Sequence, residues 1–170
     1  PEVATAQEPL GNAVHTMLSQ DIICNNISIF GCGPIGLCAI QIAKAGGARG
    51  IFAVDTNDYR LKMAKGMGAD YAINPLKEDP VKAIKDVTLR GVDVFIEMSG
   101  NANALQAGLK SVRAGGAAAI LGVFPDDIPI NVSSDVVFKQ LTIRGINGRH
   151  LYDTWHKVNR LLKSGAVDLS

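Results

Sequence analysis

The sequence is short of cysteine, of aromatic side chains and of net charge. Its three cysteines, Cys24, Cys32 and Cys38, include no Cys-x-x-Cys pair, so we expect reduced thiols of an intracellular protein rather than a disulfide framework. Lysine and arginine total 17 against 16 aspartate and glutamate residues, which gives no electrostatic basis for binding nucleic acid. Every apolar run ends well before the roughly 18 residues that a membrane span requires, so no membrane partner is expected.

The first residues of the chain carry neither a basic stretch nor an apolar run. No secretory leader is therefore predicted, and a cytoplasmic location is expected. Because the chain begins with Pro1 rather than methionine, we expect it to be a segment of a longer protein.

What the sequence does have in quantity is aliphatic residues and glycine. Hydrophobic residues make up 47% of the 170 positions, and 18 positions are glycine. This composition excludes a disordered chain and is sufficient for one sizeable core. Short apolar runs alternate with helical patterns along the chain, and this alternation predicts a parallel sheet, because each right-handed crossover needs a helix to return the chain.

The predicted strands are almost continuously apolar, as expected for a sheet that is covered on both faces. The predicted fold class is α/β, a doubly wound parallel sheet of six strands with helices on both faces. Residues 1–20 are predicted to be a leading segment and helix, and residues 21–170 the domain itself. Strands are predicted at 27–30, 51–54, 71–73, 92–96, 118–121 and 141–143, and helices at 34–45, 58–67, 80–87, 103–112 and 151–163.

A glycine-rich turn follows the first strand and opens the first helix of the alternating pattern. Gly31, Gly33 and Gly36 form a Gly-x-Gly-x-x-Gly motif at this place. The first glycine permits a sharp turn, the second allows a pyrophosphate to approach the backbone, and the third allows close packing of helix and strand. Free N–H groups at the helix start then face the phosphates. The motif is a weak signal alone, and its place between strand and helix is what indicates dinucleotide binding.

An acidic residue ends the second strand. Asp55 lies 19 residues after Gly36, close to the interval of about 20 expected for a carboxylate that binds the adenosine ribose. A ribose 2′-phosphate would meet like charge there, which favours NAD over NADP. Arg60, one helical turn further, is the complication, since it could reach a phosphate. The alternative for Asp55 is a helix N-cap. We expect Asp55→Ala to weaken NAD binding with little effect on stability.

Glycines also follow the later strands, where ligands of open α/β sheets bind. Met98-Ser99-Gly100, Leu121-Gly122-Val123 and Gly145 to Gly148 all fall at such places. The carbonyl and N–H groups of Val123 or Ile146 could bond a carboxamide. Taken alone, such a stretch is more often an ordinary turn than a binding site, whereas along the expected path of the cofactor a binding site is favoured.

With these motifs in place, the chain resembles the coenzyme domain of the zinc-containing medium-chain alcohol dehydrogenases, which have a Rossmann fold. The glycine turn is common to that whole superfamily, whereas the other matching stretches are more particular. The resemblance runs along nearly all 170 residues but covers only the middle of such an enzyme. The matching stretches are Glu8 to Thr16, Gly31 to Gly36, Glu97 to Gly100, and Gly148 to Trp155.

The resemblance implies an NAD-dependent oxidation of a secondary alcohol in which a zinc ion polarises the alcohol oxygen. Within the family, the chain is most similar to members that oxidise L-threonine to 2-amino-3-ketobutyrate. Glu8 matches an acidic residue beside the catalytic zinc that is proposed to assist proton relay; without the resemblance it is a polar residue at a helix start. The positions matching family cofactor contacts are Ile35, Asp55, Arg60, Leu121, Gly122, Val123, Ile146 and Asn147.

The family's zinc ligands, a cysteine with a His-Glu pair and a separate cluster of four cysteines, have no counterpart in this sequence. We therefore expect this segment to bind NAD without turnover and zinc to belong to the intact enzyme. The resemblance also implies a homodimer or homotetramer formed through the last strand. Three alternatives stay open: a related dehydrogenase acting on a polyol such as sorbitol or butanediol, a non-catalytic NAD-sensing domain, and a structural domain without ligand.

Overall fold

Six parallel strands form one sheet in a computed structural model that describes residues 7–168. Every neighbouring pair of strands is parallel, which confirms the predicted doubly wound α/β fold. The strand order is β3-β2-β1-β4-β5-β6. The strands are β1 (Asn26–Phe30), β2 (Gly50–Val54), β3 (Tyr71–Ile73), β4 (Val92–Glu97), β5 (Val112–Ile120) and β6 (Thr142–Gly145).

Helices cover both faces of this sheet and divide the core in two. One core contains Ile27, Ile29, Ile40 and Ile51, and the other is built around Phe30, Phe52 and Phe95; successive strand residues alternate between them, as the strand period of two requires. The helices are α1 (Gln7–Leu18), α2 (Pro34–Ala45), α3 (Asp58–Gly66), α4 (Pro80–Thr88), α5 (Ala102–Ser111) and α6 (Asp153–Lys163). Among the described residues, no helix is long and apolar enough to cross a membrane.

Helix α1 packs against α2 and α6 rather than standing apart from the sheet. Leu10, Ala13, Val14 and Met17 are all fully buried and belong to the same core as α2. These positions recur at intervals of three and four, so they form one apolar helix face. The predicted leading segment therefore includes a helix that completes the core, while residues 1–6 of that segment lie outside the described residues.

Local differences from the predicted boundaries have identifiable causes. β5 begins at Val112 rather than 118, because Val112 pairs with Val92 before a register shift interrupts the ladder. α6 begins at Asp153 rather than 151, since Tyr152 has a φ of 66°, which a helix cannot contain. Leu151, predicted on the buried face of that helix, is consequently 58% exposed. A short π-helix at Ser133–Val137 was not predicted.

Candidate functional site

The residues predicted for a cofactor site follow the carboxyl ends of five strands. Asp55 follows β2, the glycine turn follows β1, and the segments after β4, β5 and β6 continue along the same edge. The chain reverses its direction of strand addition between β1 and β4, and ligands of open α/β sheets bind in the crevice at that point. The fold thus places all the predicted cofactor residues at the carboxyl end of the sheet, centred on the glycine turn.

Two of the three glycines in the turn are required by backbone packing. Gly31 has a φ of 96°, and a Cβ there would lie 2.8 Å from the backbone of Met98 and Ser99. A Cβ on Gly36 would overlap the carbonyl oxygen of Gly31. Any side chain at either position would have to displace backbone, so both glycines are explained by the fold without a ligand.

Gly33 is different, because a Cβ placed on it would meet no atom within 4 Å. Its φ of −69° and ψ of −176° are values that any residue can adopt. It is also the N-cap of α2, where no side chain of the described residues makes a capping hydrogen bond and no acidic residue occupies the first turn. The fold alone does not require glycine here, whereas a ligand lying on the start of α2 would.

Asp55 is buried, with 8% of its surface exposed, and its carboxylate is hydrogen-bonded to the backbone of the glycine turn. Oδ2 accepts a hydrogen bond of 2.7 Å from the Cys32 N–H, and Oδ1 accepts one of 2.8 Å from the Asn57 N–H. The N-cap of α3 is Asn57 rather than Asp55, so the alternative interpretation of Asp55 as a helix cap is wrong. Each carboxylate oxygen retains a lone pair that can accept a further hydrogen bond.

Asp55 has two titratable neighbours, Arg60 and Cys32. Arg60 Nη1 lies 3.8 Å from Asp55 Oδ2, with the arginine side chain half exposed. Burial, followed by the negative charge of Asp55, raises the pKa of the Cys32 thiol to about 12. Cys32 is therefore neutral at physiological pH, and Arg60 is the cation nearest the carboxylate among the ion pairs of the described residues.

The segments after β5 and β6 offer fewer free backbone groups than the sequence suggested. The N–H of Ile146 donates to the Ile120 carbonyl at 2.8 Å, which leaves only the Ile146 carbonyl for a carboxamide. The N–H groups of Leu121 and Gly122 both donate to the Glu97 carbonyl. Val123, which follows β5, is 90% exposed. Asn147, which follows the neighbouring strand β6, is also exposed.

Glu97 is a feature of this edge that the sequence reading did not single out. It ends β4, none of its surface is exposed, and its carboxylate accepts hydrogen bonds from the backbone of Ser99 and Gly100 and from the Ser99 hydroxyl. The sequence does hold a signal for this feature, because a glutamate ends an otherwise apolar strand. Acidic residues are rarely buried without a partner, so a glutamate at such a place indicates hydrogen-bond donors around it.

Glu8 lies in the first turn of α1 and is paired. Its Oε1 accepts from Asn12 Nδ2 at 2.8 Å and from Arg149 Nη1 at 3.1 Å. The Nε of Arg149 is buried without a hydrogen-bond partner among the described residues. Arg149 lies within one of the stretches that match the family, but its pairing with Glu8 joins residues 141 positions apart and was not predicted from the sequence.

The histidines near Glu8 form a second contact between α1 and the segment before α6. His15 Nδ1 lies 2.9 Å from the Gly148 carbonyl oxygen, and the His15 and His150 rings meet edge to face with centroids 4.2 Å apart. His156 is exposed on α6. Within residues 7–168 no three His, Cys, Asp or Glu side chains are grouped so that they could hold a metal ion, so the zinc of the resembling family does not fit the described residues.

Most of the chain matches the sequence pattern of one protein family. Residues 34–164 match the family described as zinc-binding dehydrogenase. Among curated proteins, the L-threonine 3-dehydrogenase of Pyrococcus horikoshii is 48% identical over 170 residues, which cover 99% of this chain and 49% of that protein. The L-threonine 3-dehydrogenase of Bacillus subtilis is 44% identical over 171 residues, which cover 100% of this chain and 49% of that protein.

Solved structures share the fold at similar coverage. The (2R,3R)-butanediol dehydrogenase of Bacillus subtilis superposes with a TM-score of 0.87 at 33% identity, over 94% of this chain and 45% of that one. A structure described as a zinc-binding dehydrogenase from Sinorhizobium meliloti, bound to NADP, superposes with a TM-score of 0.90 at 28% identity, over 96% of this chain and 48% of that one. The chain spans about half the length of the curated relatives it matches.

Proposed function

Since the chain belongs to the zinc-binding dehydrogenase family, we propose that it is the NAD-binding domain of an enzyme that oxidises L-threonine to 2-amino-3-ketobutyrate. The observation that carries the cofactor assignment is the open space over Gly33, between two glycines that are closely packed. At the turn between the first strand and the helix that follows it, a glycine where the fold would accept any residue is the arrangement expected for a bound pyrophosphate.

For the adenosine half of NAD we propose Gly31, Gly33, Ile35 and Gly36 at the pyrophosphate and Asp55 at the ribose. The start of α2 supplies N–H groups and the positive end of a helix dipole. Asp55 accepts the ribose hydroxyls through the lone pairs that Cys32 and Asn57 do not use. Arg60 stands 3.8 Å from Asp55, where it neutralises part of the carboxylate's charge and borders the ribose.

For the nicotinamide half we propose the segments after β5 and β6, namely Leu121, Gly122 and Val123 with Ile146 and Asn147. These segments lie on the other side of the glycine turn from Asp55 in the strand order, as a dinucleotide that crosses the switch point requires. Because the Ile146 N–H is already bonded to Ile120, its carbonyl is the group that would accept from the carboxamide. NAD would supply the hydride acceptor for the alcohol carbon.

Glu8 we propose as a proton-relay group at the opening of α1. Its carboxylate is 58% exposed in the described residues, while Asn12 and Arg149 fix the orientation of one oxygen. The other oxygen remains able to accept a proton. The described residues offer no site for zinc, and we propose that its ligands belong to parts of the relatives that this chain does not match.

The substrate is tested by assaying the longer protein that carries this chain with NAD and L-threonine, sorbitol or 2,3-butanediol. We expect NADH production with L-threonine to exceed that with either polyol, and no production by the 170-residue chain alone. The butanediol dehydrogenase likeness makes a preference for 2,3-butanediol the specific competing outcome. NAD binding without turnover of any alcohol by the longer protein would instead indicate an NAD-sensing domain.

Assembly through β6 is a further part of the proposal. β6 pairs on one side with β5, and all four of its residues are exposed; an exposed edge strand offers unpaired backbone groups to a second copy. We expect a homodimer or homotetramer by light scattering, and a monomer for Ile143→Lys. Leu76→Lys, an equal change at a residue 76% exposed outside the sheet edge, is the matched control. A monomeric unmodified protein would contradict the assignment.

We propose a cytoplasmic location on the basis of the state of the cysteine side chains. Cys24, Cys32 and Cys38 are all free thiols in the described residues, a state that reducing compartments maintain.

A further inference from the structure

We infer that Glu97 is a positioning residue, whose buried carboxylate holds together the segments that receive the nicotinamide half of the cofactor. The inference rests on the proposed function, because it concerns the geometry of the same crevice. It assigns a role to a residue that would not touch the cofactor and that acts through Ser99, Gly100 and Gly122.

The carboxyl group of Glu97 is wholly buried and has no cationic partner among the described residues. None of the ion pairs within residues 7–168 includes it. Oε1 accepts from the Ser99 N–H at 2.8 Å, from the Gly100 N–H at 3.1 Å and from the Ser99 hydroxyl, and Oε2 lies 3.3 Å from the Gly100 N–H. Burying a carboxylate is costly unless such donors surround it, so core packing alone does not explain a glutamate at this position.

The donors form a tight turn that braces the glycine motif. Gly100 has a φ of 65°, and the turn it closes lies directly against Gly31, whose missing Cβ would contact Met98 and Ser99. Glu97 therefore fixes a turn whose backbone packs directly against Gly31. The sequence signal for this contact is absent, since the two turns are more than 60 residues apart in the chain.

The same carboxylate also reaches the segment after β5. A Cβ on Gly122 would overlap Glu97 Oε2 and the Gly100 backbone, so Gly122 is glycine because the carboxylate and its turn occupy that space. The Glu97 carbonyl accepts from the Leu121 and Gly122 N–H groups at 3.0 and 3.3 Å. One residue thus sets the spacing between β4 and β5 at their carboxyl ends, where the nicotinamide would lie.

Glutamine at position 97 has nearly the same shape but places an NH₂ group where an acceptor stood. Even with its oxygen at the Oε1 position, the amide places an NH₂ group where Oε2 lay, 3.3 Å from the Gly100 N–H, and Gly100 must shift to relieve the donor–donor contact. The consequence should fall mainly on NAD, which spans the shifted segments, and little on AMP, which carries only the adenosine half near Asp55.

The test compares NAD and AMP binding to the 170-residue chain by calorimetry. For Glu97→Gln we expect the Kd for NAD to rise about tenfold, as for one lost hydrogen bond, and the Kd for AMP to change less than twofold. Asp93→Asn is the matched control: its carboxylate accepts from the Asn26 N–H and Arg113 at the amino end of the same strand, so it should leave both affinities unchanged.

The outcomes separate this inference from the proposed function. Equal NAD affinity in Glu97→Gln, or an equal loss for NAD and AMP, would overturn the positioning role while leaving the cofactor site in place. Failure of the unmodified chain to bind NAD would remove the proposed function itself. Should Glu97→Gln not fold, Ser99→Ala removes the hydroxyl that donates to Glu97 and accepts from the Asn101 N–H, and it should still raise the ratio of NAD to AMP dissociation constants; an unchanged ratio would count against the inference.

Discussion

Replacing Gly33 by valine should abolish measurable NAD binding without lowering the stability of the protein. The Cβ of the new residue enters open space, and the backbone angles at this position suit a branched side chain. The two methyl groups would nevertheless occupy the volume over the start of α2 that a pyrophosphate needs. We expect the Kd for NAD to rise at least 100-fold, equivalent to about 2.8 kcal/mol.

Thermal unfolding with and without NAD measures both parts of this prediction. For the unmodified chain, NAD at 100 times its Kd should stabilise the fold by about 2.7 kcal/mol; for Gly33→Val the unfolding temperature should match that of the unmodified chain without NAD and should not respond to the ligand. Gly66→Val is the matched control, since a Cβ there also meets nothing within 4 Å. Unchanged NAD affinity in Gly33→Val would exclude the phosphate site.

Replacing Asp55 by alanine should weaken NAD binding by about 10- to 100-fold and also destabilise the fold. The carboxylate accepts from the Cys32 and Asn57 N–H groups, and leaving buried donors unpaired costs about 1–3 kcal/mol. The structure therefore revises the expectation from sequence that stability would hardly change. The loss of affinity follows from the missing acceptor for the ribose hydroxyls.

The same substitution should reverse part of the preference between NAD and NADP. Removing Asp55 takes away the like charge that a 2′-phosphate would meet, while Arg60 stays within reach. Calorimetry with both dinucleotides should show a smaller Kd for NADP in the variant than in the unmodified chain. The control is Asp58→Ala, which removes an exposed carboxylate at the start of α3 that pairs with Lys77. This variant should change neither Kd. If Asp55→Ala left NAD affinity intact, the ribose assignment would be wrong.

Local periodicity was sufficient to predict the sheet and most of its helices. α2 begins and ends where the sequence indicated, at Pro34 and Ala45, because proline suits the first turn of a helix and Gly46 follows the last. The errors fall where tertiary contacts override local pattern. Lys139 donates to the carbonyls of Leu109, Lys110 and Val112. This long-range helix cap is not predicted by the residues near position 139.

The candidate site was predictable only in its motifs. The spacing of Gly31, Gly33, Gly36 and Asp55 is written in the sequence, because successive strand ends of a parallel sheet are neighbours. What separated Gly33 from the other two glycines was the space around each, since Gly31 packs against Met98 and Ser99 far along the chain and Gly36 packs against the Gly31 carbonyl. The pairing of Glu8 with Arg149 depends likewise on how α1 packs against α6, and no spacing rule links residues so distant.

The packing of α1 determines where this chain can be shortened. A version starting at residue 21 would lose Leu10, Val14 and Met17 from the interior, at about 1.5–3 kcal/mol for each side chain. That sum approaches the roughly 5–15 kcal/mol by which a whole domain is stable. A minimal fragment for expression or crystallisation therefore has to keep the helix that precedes the first strand, even though every motif for the dinucleotide comes after it.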